Sequence, residues 1–470
     1  MNDLPITTIF DADLVRRYDG PGPRYTSYPT AVQFHPGFGL VEYDAAARAS
    51  NGLDPTPLSI YVHVPFCESP CFYCGCNKVI TRDHGRATPY LERLFLEIDR
   101  QGVLFDRSRP VDQLHFGGGT PTFFSDEELE SVFAKLRERF TLRADPGREY
   151  SIELDPRTVS LQRLETLSRM GFNRVSLGVQ DFDPDVQEAV NRVQSAQDTL
   201  ALIAKTRDPA LQIDSVSVDL IYGLPKQSRT SFARTLAMII EARPDRIAAY
   251  SYAHLPHLFK PQRQIKAEDL ISPAEKLGLL GLTVETLTGA GYVYIGMDHF
   301  ALPTDELVRA QQAGTLQRNF QGYSTRAECD LIAVGVSSIS KVGDTYAQNA
   351  KSLPEYYRMI DAGALAVQRG VALEPDDRLR RDVIQQLMCA TRLDFSSIES
   401  RHGIRFEDYF ATELAALGPL EKDGLVAREG RSLRITARGR LLMRNVAMVF
   451  DAHLKKPAAN AGQPRFSRVV

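Results

Sequence analysis

From Leu58 onward, short apolar runs alternate with stretches whose apolar residues recur at helical spacing. The run 59–64, Ser-Ile-Tyr-Val-His-Val, is β-branched and aromatic and predicts a strand. Leu91, Leu94, Phe95 and Ile98 then share one face of a helix predicted over 88–102. The unit recurs: strand 113–116 with helix 125–140, strand 149–154 with helix 160–170, and strand 174–179 with helix 183–190. It recurs twice more, as strand 215–222 with helix 230–242 and strand 246–252 with helix 272–289. Six βα units imply an α/β protein with a parallel sheet and helices outside it. Periodicity does not separate a closed eight-stranded barrel from an open six-stranded one.

The flanks read differently. Residues 1–57 are rich in Pro, Gly and Tyr with weak periodicity, and predict an extended arm. The stretch 291–300 reads as one more strand and loop, and 301–373 as an extension of the barrel region 58–300. From Glu374 the chain is more charged and helical, with helices expected over 376–391, 395–402 and 406–416. A hairpin of 424–427 and 433–436, turning at Glu429-Gly430, precedes a last helix, so 374–470 resembles a winged-helix appendage. Fold alone assigns it no function, and a lid or packing role suits it better than DNA binding.

Composition narrows the class. The 43% hydrophobic and 24% charged fractions over 470 residues are those of a globular chain with a large core. No apolar run approaches a membrane span, and Met1-Asn2-Asp3-Leu4-Pro5 lacks the charged and apolar regions of a leader, so a cytoplasmic protein with no membrane partner is expected. A net charge of −3 offers no general attraction for nucleic acid; an anionic substrate needs locally placed Arg or Lys. A monomer is expected.

Four of the six cysteines, Cys67, Cys71, Cys74 and Cys76, fall within ten residues, far denser than packing needs. Thiolates at Cys67, Cys71 and Cys74 on a tight loop suit three irons of a cubane 4Fe-4S cluster, leaving the fourth iron open to a small molecule. Zinc is the competing reading, although zinc sites usually draw on two separated ligand pairs. Cys76 stands open as a fourth ligand, a neighbour that tunes the cluster, or an inert loop thiol. Cys329 and Cys389 read as buried apolar thiols.

The run Cys67-x-x-x-Cys71-x-Tyr73-Cys74 looks like the signature of radical S-adenosylmethionine (SAM) enzymes. With Gly75-Cys76-Asn77-Lys78 following, it is similar to the oxygen-independent coproporphyrinogen III oxidases, and the resemblance runs from Pro23-Arg24-Tyr25-Thr26-Ser27-Tyr28-Pro29-Thr30 to Phe466-Ser467-Arg468-Val469-Val470. It implies a partial (β/α)6 TIM-like barrel, open on one side for a large substrate, with the arm 1–57 covering the site. Arg24 then becomes a possible contact for a substrate carboxylate.

Parallel sheets carry ligands at the C-terminal ends of their strands, where the remaining motifs fall. Gly117-Gly118-Gly119-Thr120-Pro121 lets backbone approach a ligand, and one βα unit after the cysteine loop it reads as a clamp for the methionine part of SAM. Glu153, at a strand end, suits ribose hydroxyls or an ammonium better than Asp155 does. Asp219, inside a β-rich run, needs a partner if buried. Carried over residue by residue, the resemblance implies SAM contacts at Tyr61, Tyr73, Gly118, Gly119, Thr120, Glu153, Gln180, Arg192, Asp219, Ala253 and Ile339. It also implies two SAM molecules per chain.

The implied reaction converts two propionates of coproporphyrinogen III to vinyl groups by way of a 5′-deoxyadenosyl radical, with an electron donor and a final acceptor that the sequence does not name. The alternatives are a haem-binding chaperone that keeps the cluster motif, and a zinc-stabilised scaffold or nucleic-acid module. The arm from Arg24 to Thr30 and Cys76-Asn77-Lys78 weigh against the first; the glycine loop and the lack of basic excess weigh against the second.

Overall fold

The computed structural model describes residues 7–326, 328–454, 466 and 468. Met1 to Pro5, and Ser467, Val469 and Val470 of the C-terminal motif, lie outside the described residues. The chain forms two compact units, each drawn from separate stretches: 34–275 with 328–372, and 1–33 with 276–327 and 373–470.

The first unit holds all six predicted strands, at Leu58–Val64 (β1), Pro110–Gly118 (β2), Glu149–Leu154 (β3), Arg174–Gln180 (β4), Ser215–Tyr222 (β5) and Arg246–Ser251 (β6). They pair in parallel in chain order. Four further strands come from 328–372: Asp330–Val334 (β7), Ile339–Val342 (β8), Thr345–Asn349 (β9) and Val367–Ala372 (β10). β7 lies parallel to β1, and β8, β9 and β10 follow antiparallel. With β2 on one side and β7 on the other, β1 has no free edge for β6, so the six βα units make an open, partial barrel.

The helices form where the pattern placed them because their ends are well capped. Ser125 accepts the Glu128 N–H while Glu128 reaches back to the Ser125 N–H, opening helix Asp126–Arg139. Helix Leu161–Met170 starts on Ser160 and stops on Gly171, at φ +117°. A helix absent from the expectation, Ala196–Lys205, uses Ser195 as its cap. The arm is also not extended throughout. Leu40–Ala49 is helical, its alanines offsetting poor patterning and its first turn closed by the Gly39 N–H to Glu42 Oε2 bond of 2.8 Å.

A buried ion pair fixes the β1–β7 edge. The Arg109 guanidinium meets Asp330 at 2.7 Å with side-chain exposures of 0% and 7%, and donates from its other atoms to Thr56, Ser50 and Asn51.

In the second unit, most of helix Pro273–Gly289 leads to the hairpin Val293–Gly296 and His299–Ala301 and to a second hairpin, Gln317–Asn319 with Gly322–Ser324. The C-terminal part is helical with a small sheet, as a winged helix is. Helix Pro375–Gln385 widens into a π turn at Gln386–Ala390, and the strands run in the order Arg392–Asp394, Ser432–Ile435, Val426–Arg428. Phe395 and Phe406 stack at 4.1 Å in its core beside Phe410 and Phe450. Arg24 lies in this unit, ion-paired to Asp298. Among the described residues no helix is long and apolar enough to cross a membrane.

Candidate active site

Strand alternation builds the site. A strand covered by helices on one face and closed by a barrel on the other should be apolar throughout, yet β2 to β4 carry a polar or glycine residue at every second position of their C-terminal halves, and β5 does so at Ser217 and Asp219. Cross-strand register sets these side by side: Tyr61 with His115, His63 with Gly117, His115 with Ser151, Glu153 with Ser176, and Gly178 with Asp219. Their opposite faces carry Phe116, Ile152, Leu177, Val218 and Leu220, all buried.

The cysteine loop crosses the end of this row, and four ties hold it. Phe66–Cys67 pairs with Val79–Ile80, and the Phe72 N–H bonds Val190 O at 2.9 Å. Asn191 Nδ2 donates to Pro70 O, and Asn77 Nδ2 to Lys351 O. Phe72 and Tyr73 also pack on an apolar cluster of Val186, Val190, Ile221, Leu224, Tyr252 and Ile265.

Cys67, Cys71, Cys74 and Cys76 all line one cavity of about 370 Å³, together with Gly118, Gly119, Thr120, Glu153, Gln180, Arg192, Asp219 and Tyr73. Among the described residues no three His, Cys, Asp or Glu groups are gathered closely enough for a single metal ion. A cubane spaces its thiolates more widely, because each binds its own iron, and three sulfurs around a shared cavity suit that better than a closed zinc site. Every one of the three has a protein donor. Thr120 Oγ1 donates to Cys67 at 3.4 Å, the Cys76 N–H to Cys74 at 3.4 Å, and Arg192 Nη1 to Cys71 at 3.4 Å. Burial pushes the Cys67 thiol up to about 11. The Cys76 side chain and the Lys78 charge draw Cys74 down to about 5 against its burial. Cys76 thus stands beside Cys74, its backbone N–H reaching that sulfur.

The glycine loop leaves no space for side chains. A Cβ on Gly119 would stand 2.7 Å from Phe66 O; one on Gly118, at φ +116°, would stand 2.5 Å from the His63 ring. The Gly119 N–H bonds Val64 O and the Thr120 N–H bonds Phe66 O, locking this loop to the cysteine loop.

Glu153 accepts from His115 Nε2 at 3.1 Å and from the Gly118 N–H at 3.1 Å. Burial raises its pKa, but the His115 bond and charge, with Gly118 and His63, more than offset this, so the carboxylate is held below its usual range. Asp219 accepts from Ser176 Oγ at 3.3 Å; burial, aided by the Glu153 charge, pushes it up to about 7. Gln180 sits at φ +66° where the β4–β5 register shifts.

The expected residues outside the cavity lining are Tyr61, Ala253 and Ile339. Tyr61 bonds His63 Nδ1 at 3.0 Å and stacks on His115 at 5.7 Å. Gln262 Nε2 joins the carbonyls of Ala253 and Tyr73, at 3.1 and 3.0 Å. Ile339 opens β8 and pairs with Gln348.

Asp155, ranked below Glu153 on sequence, grips both Arg192 and Arg157, at 3.1 and 2.6 Å. Arg157, His115, His63 and Ser176 were missed. For His63, His115 and Ser176 the signal was the polar alternation itself, which a search for motifs passes over; Arg157, in the turn after β3, had no such signal.

Comparison with known proteins accords with this geometry. Residues 61–239 match the Radical SAM superfamily and 373–442 the HemN C-terminal domain. The chain is 51% identical over 464 residues to the oxygen-independent coproporphyrinogen III oxidase of Pseudomonas aeruginosa, covering 99% of each chain. The chain belongs to the oxygen-independent coproporphyrinogen III oxidases. It is 48% identical to the Escherichia coli member of this family over 98% of each chain. The solved E. coli oxidase, described as a radical SAM enzyme, superposes with a TM-score of 0.90 at 47% identity, covering 95% of this chain and 100% of that one. Family membership makes this chain a radical SAM enzyme of mixed α/β fold, whose class uses an iron–sulfur cluster and SAM.

Proposed function

We propose that the chain oxidatively decarboxylates two propionates of coproporphyrinogen III to vinyl groups without oxygen, giving protoporphyrinogen IX for haem biosynthesis. The observation that carries the reading is a single cavity with the Cys67, Cys71 and Cys74 sulfurs, the Gly118-Gly119-Thr120 cradle and Glu153 all in its wall.

Cys67, Cys71 and Cys74 would hold a 4Fe-4S cluster, which with SAM supplies a one-electron cleavage yielding a 5′-deoxyadenosyl radical. The chain's own residues bind and orient. The Gly118-Gly119-Thr120 backbone lines the cavity beside the cysteines and suits the methionine part of SAM, and Glu153, kept ionised by His115 and Gly118, suits its ammonium or ribose hydroxyls. Arg192 and Asp219 line the same cavity, the first a fixed cation and the second a carboxyl that burial brings to about 7. Two SAM molecules per chain belong to the proposal, as the family resemblance implies. Arg24 is proposed to meet a substrate carboxylate. Net chemistry per propionate removes one hydrogen and carbon dioxide and passes one electron to an acceptor.

The test is an anaerobic assay of reconstituted protein with dithionite, SAM and coproporphyrinogen III, following vinyl porphyrin and 5′-deoxyadenosine together. Both should form in the wild type and neither in Cys67→Ser. A fully loaded wild-type protein that forms neither overturns the proposal.

A further inference from the structure

Thr120 and the Cys76 N–H serve Cys67 and Cys74, the latter beside the Lys78 charge as well, whereas Cys71 receives two guanidiniums. Arg192 Nη1 stands 3.4 Å from its sulfur and Arg157 Nη2 stands 3.6 Å away. Arg192 is among the expected SAM contacts; Arg157 has no assigned role. Its position is nevertheless tightly determined. Asp155 accepts from Arg157 Nε at 3.0 and 3.2 Å, from Nη2 at 2.6 Å and from the backbone N–H at 3.1 Å. Thr158, next in the chain, bonds Asp155 O and Thr122 Oγ1, fixing the turn that carries the arginine. Two guanidiniums share the one carboxylate of Asp155, so the ion pairs leave a net positive charge beside Cys71, the one buried residue of the three cysteines.

We propose that Arg157, clamped by Asp155, is a positioning residue that sets the reduction potential of the cluster through Cys71. The inference rests on the cluster reading above. Reduction adds one negative charge to a cluster and its thiolates, and N–H donors and positive charge at a sulfur favour the reduced state, more so in a partly dry site. Sequence could not point to Arg157, because its distance from Cys71 along the chain is large and only β3 brings the two together. The same clamp explains why Asp155 is buried and ionised: burial raises its pKa, and Arg192 with Arg157 more than reverses this.

The experiment is an EPR-monitored redox titration of the reconstituted cluster without substrate, alongside iron and sulfide content. Arg157→Gln should retain the iron and sulfide of the wild type and titrate at a more negative midpoint. Arg157→Lys, which keeps the charge, should return most of the way. Arg169→Gln, which removes an exposed charge remote from the sulfurs, should titrate as the wild type does. If Arg157→Gln loads too little iron to titrate, Arg157→Met, of similar length and no charge, is read in its place. An unchanged midpoint in the neutral variant, or a Lys variant shifted as far as it, overturns the proposal. A wild type that takes up no four-iron cluster defeats the cluster reading instead, which the iron and sulfide analysis reports separately.

Discussion

Asp330→Ala removes the only acidic partner among the acceptors of a guanidinium with no exposed surface. Arg109 would keep five contacts, to Thr56 O, Thr56 Oγ1, Ser50 O, Ser50 Oγ and Asn51 Oδ1, but none carries a charge. The Gly343 N–H, 2.8 Å from Asp330 Oδ1, would lose its acceptor as well. Breaking one side of a buried pair costs about 3–5 kcal/mol. The loss falls where β1 meets β7, so it should appear as local opening. At about 1.4 kcal/mol per tenfold, 3 kcal/mol makes amides exchange about a hundredfold faster. Hydrogen exchange read by mass spectrometry on peptides spanning 58–64 and 330–334 measures this, with peptides from helix Phe395–His402 as the internal control. Arg109→Met with Asp330→Leu should recover much of the protection, since no lone charge remains. Acceleration of less than about tenfold in Asp330→Ala would refute the argument that this pair holds the strand order.

Gly119→Ala drives a methyl group into Phe66 O and Pro65, backbone atoms that cannot swing aside, so equilibrium binding should show SAM affinity falling more than tenfold while iron content stays normal. Glu153→Gln removes a charged acceptor that is 44% exposed to the cavity, which places its effect at the low end of the range for charged hydrogen bonds, about 1.5 kcal/mol or roughly tenfold in SAM affinity by calorimetry. Asp219 titrates near 7 in the fold against 3.8 in an unfolded chain, so the folded state holds its proton longer and this residue subtracts stability as pH rises from about 4 through about 7. Thermal melts of SAM-free Asp219→Asn should therefore decline less over that window than the wild type, by no more than about 1.4 kcal/mol per pH unit; parallel curves would contradict it. Arg24→Ala should weaken substrate binding in a fluorescence titration with cluster content intact, and unchanged binding would remove Arg24 from the site.

Much of this protein was legible without coordinates because the relevant forces are local. Six strand–helix units follow from hydrophobic period, and their ends from Ser125, Ser160 and Gly171. Cys67, Cys71 and Cys74 announce soft-metal chemistry because thiolates on one loop need no long-range contact to converge. Where sequence reading fell short, the cause was distance along the chain. Strand β7 is as apolar as any buried segment, and only its pairing with β1 makes it a seventh parallel strand and leaves the barrel open. Helix Leu40–Ala49 forms inside a stretch whose composition predicts an arm, held by a cap three residues away rather than by periodicity. Arg157 looks like a solvated residue until β3 carries it to Cys71, and His115 looks like a lone histidine until register sets it beside Tyr61 and within reach of Glu153. The sequence by itself determined which elements form and which atoms can ligate. Which charges face which sulfurs, and which carboxylate stays ionised, were decided by tertiary structure, since both depend on neighbours brought together only by folding.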